Sequence, residues 1–151
     1  LIDISSEPLN NAIYFARLAT MIQGLLFIQH VSNKEQLDID LKEVLQNWSA
    51  GCIIRSDLLN ELGNAKILNP ITTTSSIQDL LQSNLSDAKE VIKSCIDSGI
   101  SIPVINSSYN WFVGTSSTFN PSALIQAQRD YFGAHQVQFK NSDEFIHLDW
   151  D

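Results

Sequence analysis

The sequence predicts an all-α fold, a single helical domain over residues 1–151 whose last part, 136–151, is a partly extended tail. Three observations carry this. Apolar residues recur at i, i+3, i+4, i+7 in one run after another. Most glycines and prolines fall between those runs, where helices stop and chains turn. Alternation by two, the mark of a half-buried strand, is confined to the C-terminal end. At 151 residues and 44% hydrophobic content the chain can bury a core without disulfides or metal, and it contains no internal repeats.

The first helix is expected from Pro8 to about Val31. Leu9, Ala12, Ile13, Ala16, Ala19, Ile22, Leu25, Leu26 and Ile28 cover so much of its circumference that it reads as buried. Its length approaches a membrane span, but Arg17, Gln23, Gln29 and His30 interrupt the apolar character, so a central core helix is expected. Gly24 would admit a neighbouring helix, and His30 reads as a helix-end histidine near exposed carbonyls. Asp40 with Glu43 resembles a capping box, followed by Leu41, Val44, Leu45 and Trp48 on one face as far as Gly51. From Cys52 a further helix is expected through Ile53, Ile54, Leu58, Leu59 and Leu62, with Gly63 as its stop; Cys52 would be a small buried hydrophobe. Arg55 is expected to pair with Asp57 or Glu61.

Asn69-Pro70 and the cluster at 72–76 read as a surface loop. A short helix over 77–82 is expected next, then another over 87–98 with Ala88, Val91, Ile92, Cys95 and Ile96 inward and Gly99 closing it. Tyr109, Trp111 and Phe112 belong to a core or subunit interface, since no Lys or Arg is interleaved to make a base-stacking platform. Residues 136–139 and 145–148 alternate by two and suggest a small hairpin.

The stretch 124–135, Leu-Ile-Gln-Ala-Gln-Arg-Asp-Tyr-Phe-Gly-Ala-His, stands out chemically. Asn120-Pro121 would cap and start its helix, and Gly133 would supply the C′ stop. At about 100° per residue, Leu124, Ile125, Ala127, Tyr131 and Phe132 share one arc, Gln126 and Asp130 lie opposite, and Arg129 sits at the edge. His135 follows the glycine break, so a permanent cation and a titratable ring can converge on one anion. On spacing alone the same stretch is an amphipathic terminal helix with a solvated arginine and an incidental histidine.

Several classes are excluded. The net charge of −8 and a pI near 4.6 oppose a nucleic-acid or anionic-membrane surface. Cys52 and Cys95 form no C-x-x-C and read as reduced thiols of a cytoplasmic protein. The glycines never approach G-x-G-x-x-G or a P-loop, and neither H-E-x-x-H nor G-x-S-x-G occurs. No cofactor, metal or catalytic residue is therefore expected in this stretch of chain. The sequence opens at Leu1 with no signal-like segment and reads as an excised piece; the N-x-S sequons at Asn47, Asn84 and Asn106 read as accidents of an Asn/Ser-rich composition.

The 124–135 stretch resembles the carboxy-terminal signature of decarboxylating 6-phosphogluconate dehydrogenases, and Phe145-Ile146-His147 with Trp150 resembles the tail segment that follows it there. Upstream, Trp48-Ser49-Ala50-Gly51-Cys52-Ile53-Ile54-Arg55-Ser56 is similar to that family's W-R-G-G-C-I-I-R-S. The resemblance implies the helical C-terminal domain of an enzyme that oxidatively decarboxylates 6-phosphogluconate to ribulose 5-phosphate in the pentose phosphate pathway. NADP would be held mainly by an amino-terminal Rossmann domain, and the base lysine and acid glutamate would precede this region. It also implies a homodimer in which the tail reaches the partner subunit and Arg129 and His135 help bind the sugar phosphate there. Ser49 and Ala50 replace the family's Arg-Gly, Val113 stands where an arginine is expected, and the stretch 114–120 is longer than usual. A stand-alone helical binding or scaffold module without redox activity is the alternative, and a Rossmann fingerprint upstream of Leu1 would discriminate between the two.

Overall fold

Helix α1 (Ser6–Glu35) is the longest element. The computed structural model describes residues 5–64, 75–117 and 121–150. Contacts divide the chain into two compact units, Leu1–Phe112 and Val113–Asp151.

In the first unit, Ala12, Phe15, Ala16, Leu18, Ala19, Ile22 and Leu25 form the buried stripe of α1. They pack chiefly on α4 (Ser75–Asp97), whose Ile77, Leu81, Ala88, Val91 and Cys95 face them. Asn11 Nδ2 donates to Asp87 Oδ2 at 2.6 Å across the same pair. By length and composition α1 would also suffice to cross a membrane. Its apolar cover is one-sided, however: Leu9, Ile13 and Phe27 are exposed, so the expectation of a helix buried all round is corrected. Gly24 has nothing within 4 Å of a Cβ position, and no helix approaches there among the described residues. Because α1 continues to Glu35 and closes on Gln36 in the left-handed region (φ 56°), His30 lies before the last turn rather than at the end.

Asp40 caps α2 (Leu41–Ser49) as expected, its carboxylate accepting from Lys42 N at 2.8 Å. Helix α3 (Asp57–Asn64) begins later than the sequence suggested. Cys52, Ile53 and Ile54 lie in the preceding turn, where Arg55 N closes on Cys52 O at 3.0 Å. Cys52 is exposed and Ile53 is 99% exposed, so neither is the buried hydrophobe the periodicity implied. Leu58, Leu59 and Leu62 are buried as part of the core, with α3 packed on α2. The ion pairs among the described residues do not include Arg55; Glu61 instead accepts the hydroxyl of Tyr14. Burial and that carboxylate push the Tyr14 phenol far up from its ordinary value.

Helix α4 joins the two helices expected over 77–82 and 87–98. Ser83 and Asn84 favour caps when isolated, but here both bond back to Leu80 O, at 3.0 and 2.8 Å, and the helix runs through them. Ile96 is exposed rather than inward. Gly99 (φ 68°) ends the helix, as expected. The Asn69-Pro70 loop lies outside the described residues, while Ser75 and Ser76 already belong to α4. Helix α5 (Pro103–Ser116) opens with proline at its first position. Phe112 meets Phe15 edge-on at 5.7 Å, which bears out the core reading of that aromatic cluster.

The second unit contains α6 (Ser122–Gly133) and the antiparallel pair β1 (Val137–Gln138) and β2 (Phe145–Ile146), with Val137 opposite Ile146. The all-α reading with a short extended tail holds.

Candidate functional site

Helix α6 carries Arg129 and positions His135, and its two ends explain how. Pro121 is the N-cap residue (φ −60°, ψ −15°), and Leu124 N donates to Pro121 O at 3.0 Å. The expected Asn120 cap lies outside the described residues. At the far end Gly133 is still helical; the left-handed residue is Ala134 (φ 50°), whose N–H returns to Asp130 O at 2.8 Å. Gly133 is thus not the C′ stop. Its missing side chain makes room for the His135 ring, because a Cβ at Gly133 would lie 2.9 Å from both Cδ2 and Nε2 of that imidazole.

His135 stands between two left-handed residues, Ala134 and Gln136 (φ 65°). For residues with a Cβ that conformation costs roughly 1–2 kcal/mol each, so the turn needs fixed partners to persist. Gln136 N donates to Asp130 Oδ1 at 2.7 Å, and Gln136 O accepts from Gln126 Nε2 at 2.5 Å. The expectation that a glycine break leaves His135 free in direction is therefore corrected: the backbone on either side of it is tied to α6.

Asp130 is the residue that sequence reasoning missed. Helical periodicity placed it on the solvated side, yet it is 0% exposed. Besides Gln136 N, its carboxylate accepts from His147 Nδ1 on Oδ1 at 2.9 Å, and from Leu148 N (2.9 Å) and Trp150 Nε1 (3.1 Å) on Oδ2. Burial raises its pKa, but the bonds from His147, Leu148, Trp150 and Gln136 outweigh that and bring it from 3.8 to about 2. An ionised carboxylate has no proton to give, so Nδ1 of His147 is the donor in this pair. The tail wraps the polar side of α6, which leaves Leu124, Ile125, Tyr131 and Phe132 exposed, the reverse of an apolar face turned inward. Trp150 rests edge-on against Tyr131 at 5.6 Å. The donors lie up to 20 residues beyond Asp130, which no helical spacing reveals. The one available signal was a tail carrying two ring N–H donors, His147 and Trp150, after a helix with a single acidic residue, Asp130.

Arg129 is exposed, and its Nη1 donates to the side-chain oxygen of Gln126 at 3.3 Å. It takes part in no ion pair among the described residues. A guanidinium not neutralised by a carboxylate retains its donors for an external anion. The same unit thus presents Arg129 and His135, while the Trp48-to-Ser56 motif lies in the first unit. A dinucleotide requires a strand, a glycine-rich loop and a helix N-terminus. The one sheet among the described residues is the antiparallel pair of the tail, which is not the parallel strand–loop–helix unit of a dinucleotide fold.

The family profile described as "6-phosphogluconate dehydrogenase, C-terminal domain" matches residues 3–150. The chain belongs to the 6-phosphogluconate dehydrogenase family. Proteins named "6-phosphogluconate dehydrogenase, decarboxylating" from Haemophilus influenzae and Lactococcus lactis are 33% and 29% identical to it, each over 95% of the chain. One of the same name from Synechocystis is 31% identical over 93%. The chain spans 31%, 31% and 30% of those relatives' lengths, so it corresponds to one part of a 6-phosphogluconate dehydrogenase. The helical architecture agrees with that C-terminal domain.

Proposed function

We propose that this chain is the dimerisation and substrate-completing part of an NADP-dependent 6-phosphogluconate dehydrogenase. In this reading Arg129 and His135 grip the phosphate of 6-phosphogluconate in the partner subunit's site. The observation that carries it is the pairing, on one short tail unit of a family member, of an unneutralised guanidinium with an imidazole held in a fixed turn. The guanidinium offers two parallel N–H donors to phosphate oxygens, and the imidazole adds a further donor, charged when protonated. On a chain of net charge −8 such local cations must act against the overall field, which places a premium on bidentate geometry.

The remaining roles follow from the family. The nicotinamide cofactor, the base and the acid belong to the parent protein's preceding part, so this stretch alone turns over no substrate. Hydride transfer and loss of carbon dioxide would take place there, in a cytoplasmic homodimer. Arg129 and His135 hold the end of the sugar acid away from the reacting carbon. Binding of this kind acts about equally on ground and transition states, so its removal appears in KM rather than kcat.

The test is steady-state kinetics of Arg129→Ala and His135→Ala in the full-length enzyme. Loss of a charge-assisted bond to phosphate costs about 1.5–3 kcal/mol, or roughly ten- to a hundredfold in kcat/KM. KM for NADP should stay unchanged, and Arg129→Lys should recover only part of the loss. Wild-type KM for 6-phosphogluconate in both variants, with the dimer intact, would refute the assignment.

A further inference from the structure

We infer that Asp130 is a positioning residue: its buried carboxylate latches the tail onto α6 and so fixes the turn from which His135 meets the substrate phosphate. This rests on the reading of His135 given above. Asp130 receives one donor from the near side of the hairpin, Gln136 N, and three from the far side, His147 Nδ1, Leu148 N and Trp150 Nε1. A single side chain therefore closes both ends of the tail loop. Gln136 is also one of the two left-handed residues that flank His135, so the bond that anchors the tail is the bond that holds this turn. Asp130 is fully buried and both its oxygens are taken up by donors of the tail. It acts by presenting His135 already in its bound direction, which lowers the ordering cost of binding.

The carboxylate is chemically specific here. Two donors sit on each oxygen, so an asparagine in either flip would turn its NH₂ toward two N–H groups. Asp130→Asn is nearly isosteric and isolates the acceptor chemistry from packing.

The experiment uses full-length enzyme and two readouts. Hydrogen exchange over 134–150 reports the latch without reference to activity. In Asp130→Asn, exchange at the amides of Gln136 and Leu148 should accelerate by about tenfold or more. In kinetics, KM for 6-phosphogluconate should rise about tenfold while kcat and KM for NADP hold, and adding His135→Ala should worsen it little, because the two act as one unit. His147→Asn retains a donor and should remain near wild type, whereas His147→Leu should follow Asp130→Asn in part. Unchanged exchange in Asp130→Asn overturns the latch, whatever the kinetics. Faster exchange with an unchanged KM, in an enzyme where His135→Ala does raise KM, overturns the positioning role and leaves the proposed function standing. If His135→Ala has no effect on KM, the proposed function falls and the role of Asp130 toward the phosphate falls with it. Should Asp130→Asn fail to fold, Trp150→Phe, which removes one donor, should show the same pattern to a smaller degree, and its absence there counts equally against the proposal.

Discussion

A side chain at position 133 would compete for space with the imidazole of His135, since its Cβ would stand 2.9 Å from two ring atoms. Gly133 is helical, so Ala would gain backbone propensity, up to about 1 kcal/mol in a helix interior and less at this terminal position. Gly133→Ala should therefore leave the melting temperature level or slightly raised, yet displace the ring and raise KM for 6-phosphogluconate severalfold. A lowered melting temperature with normal KM would show that the contact serves stability alone. Asp130 provides a second test at the same scale. Its pKa falls on folding from 3.8 to about 2, so the linkage favours the folded tail above pH 4 and is lost as pH drops from about 4 toward 2. The indole N–H of Trp150, followed by NMR, should lose its protected resonance across that window while the helices of the first unit persist. A tail that stays latched below pH 2 would contradict the bond pattern.

At the scale of the element, periodicity identified the inward faces of α2 and the second half of α4, and only part of that of α1, where Ala12, Ala16, Ala19, Ile22 and Leu25 are buried but Leu9 and Ile13 are exposed and the buried Phe15 and Leu18 were not singled out. It failed where a local turn or a distant polar partner decided the outcome. Ile53 and Ile54 continue a helical pattern in spacing, but the chain turns at 51–54 and leaves Ile53 99% exposed. In α6 the apolar arc was correctly identified and wrongly turned, because Asp130 gathers donors from 6 to 20 residues away and draws the polar side inward. Arg129 and His135 were legible as chemistry, and the device that holds His135 was not. These contrasts are measurable. Leu59→Ala, at a buried position of α3, should cost about 2–5 kcal/mol of stability. Ile53→Ser, six residues before it in the chain, should change stability by no more than about 0.5 kcal/mol in this chain. Denaturant melts of the two variants separate a core leucine from a surface isoleucine that sequence periodicity treats alike.

For the whole molecule, the tail unit turns its polar side inward and its apolar side outward. Phe132 is 81% exposed, with Leu124, Ile125 and Tyr131 exposed on the same short helix. We propose that these exposed apolar side chains, on a chain of net charge −8, meet a protein surface. In the proposed homodimer, the face that the Asp130 latch leaves bare would be the one that enters the partner, so intramolecular order and assembly depend on the same carboxylate. A twofold interface contains every residue twice, so each substitution counts twice in the dimer's stability. Burying one phenylalanine contributes about 1.5–3 kcal/mol, which makes Phe132→Ser worth roughly 3–6 kcal/mol per dimer and raises its Kd by about a hundred- to ten-thousandfold. Sedimentation of the full-length enzyme across a concentration series should show this shift, whereas Gln128→Ala, exposed and polar on the same helix, should not. An unchanged Kd for Phe132→Ser would remove α6 from the seam, and a lowered melting temperature alongside it would assign the patch to contact within the parent subunit.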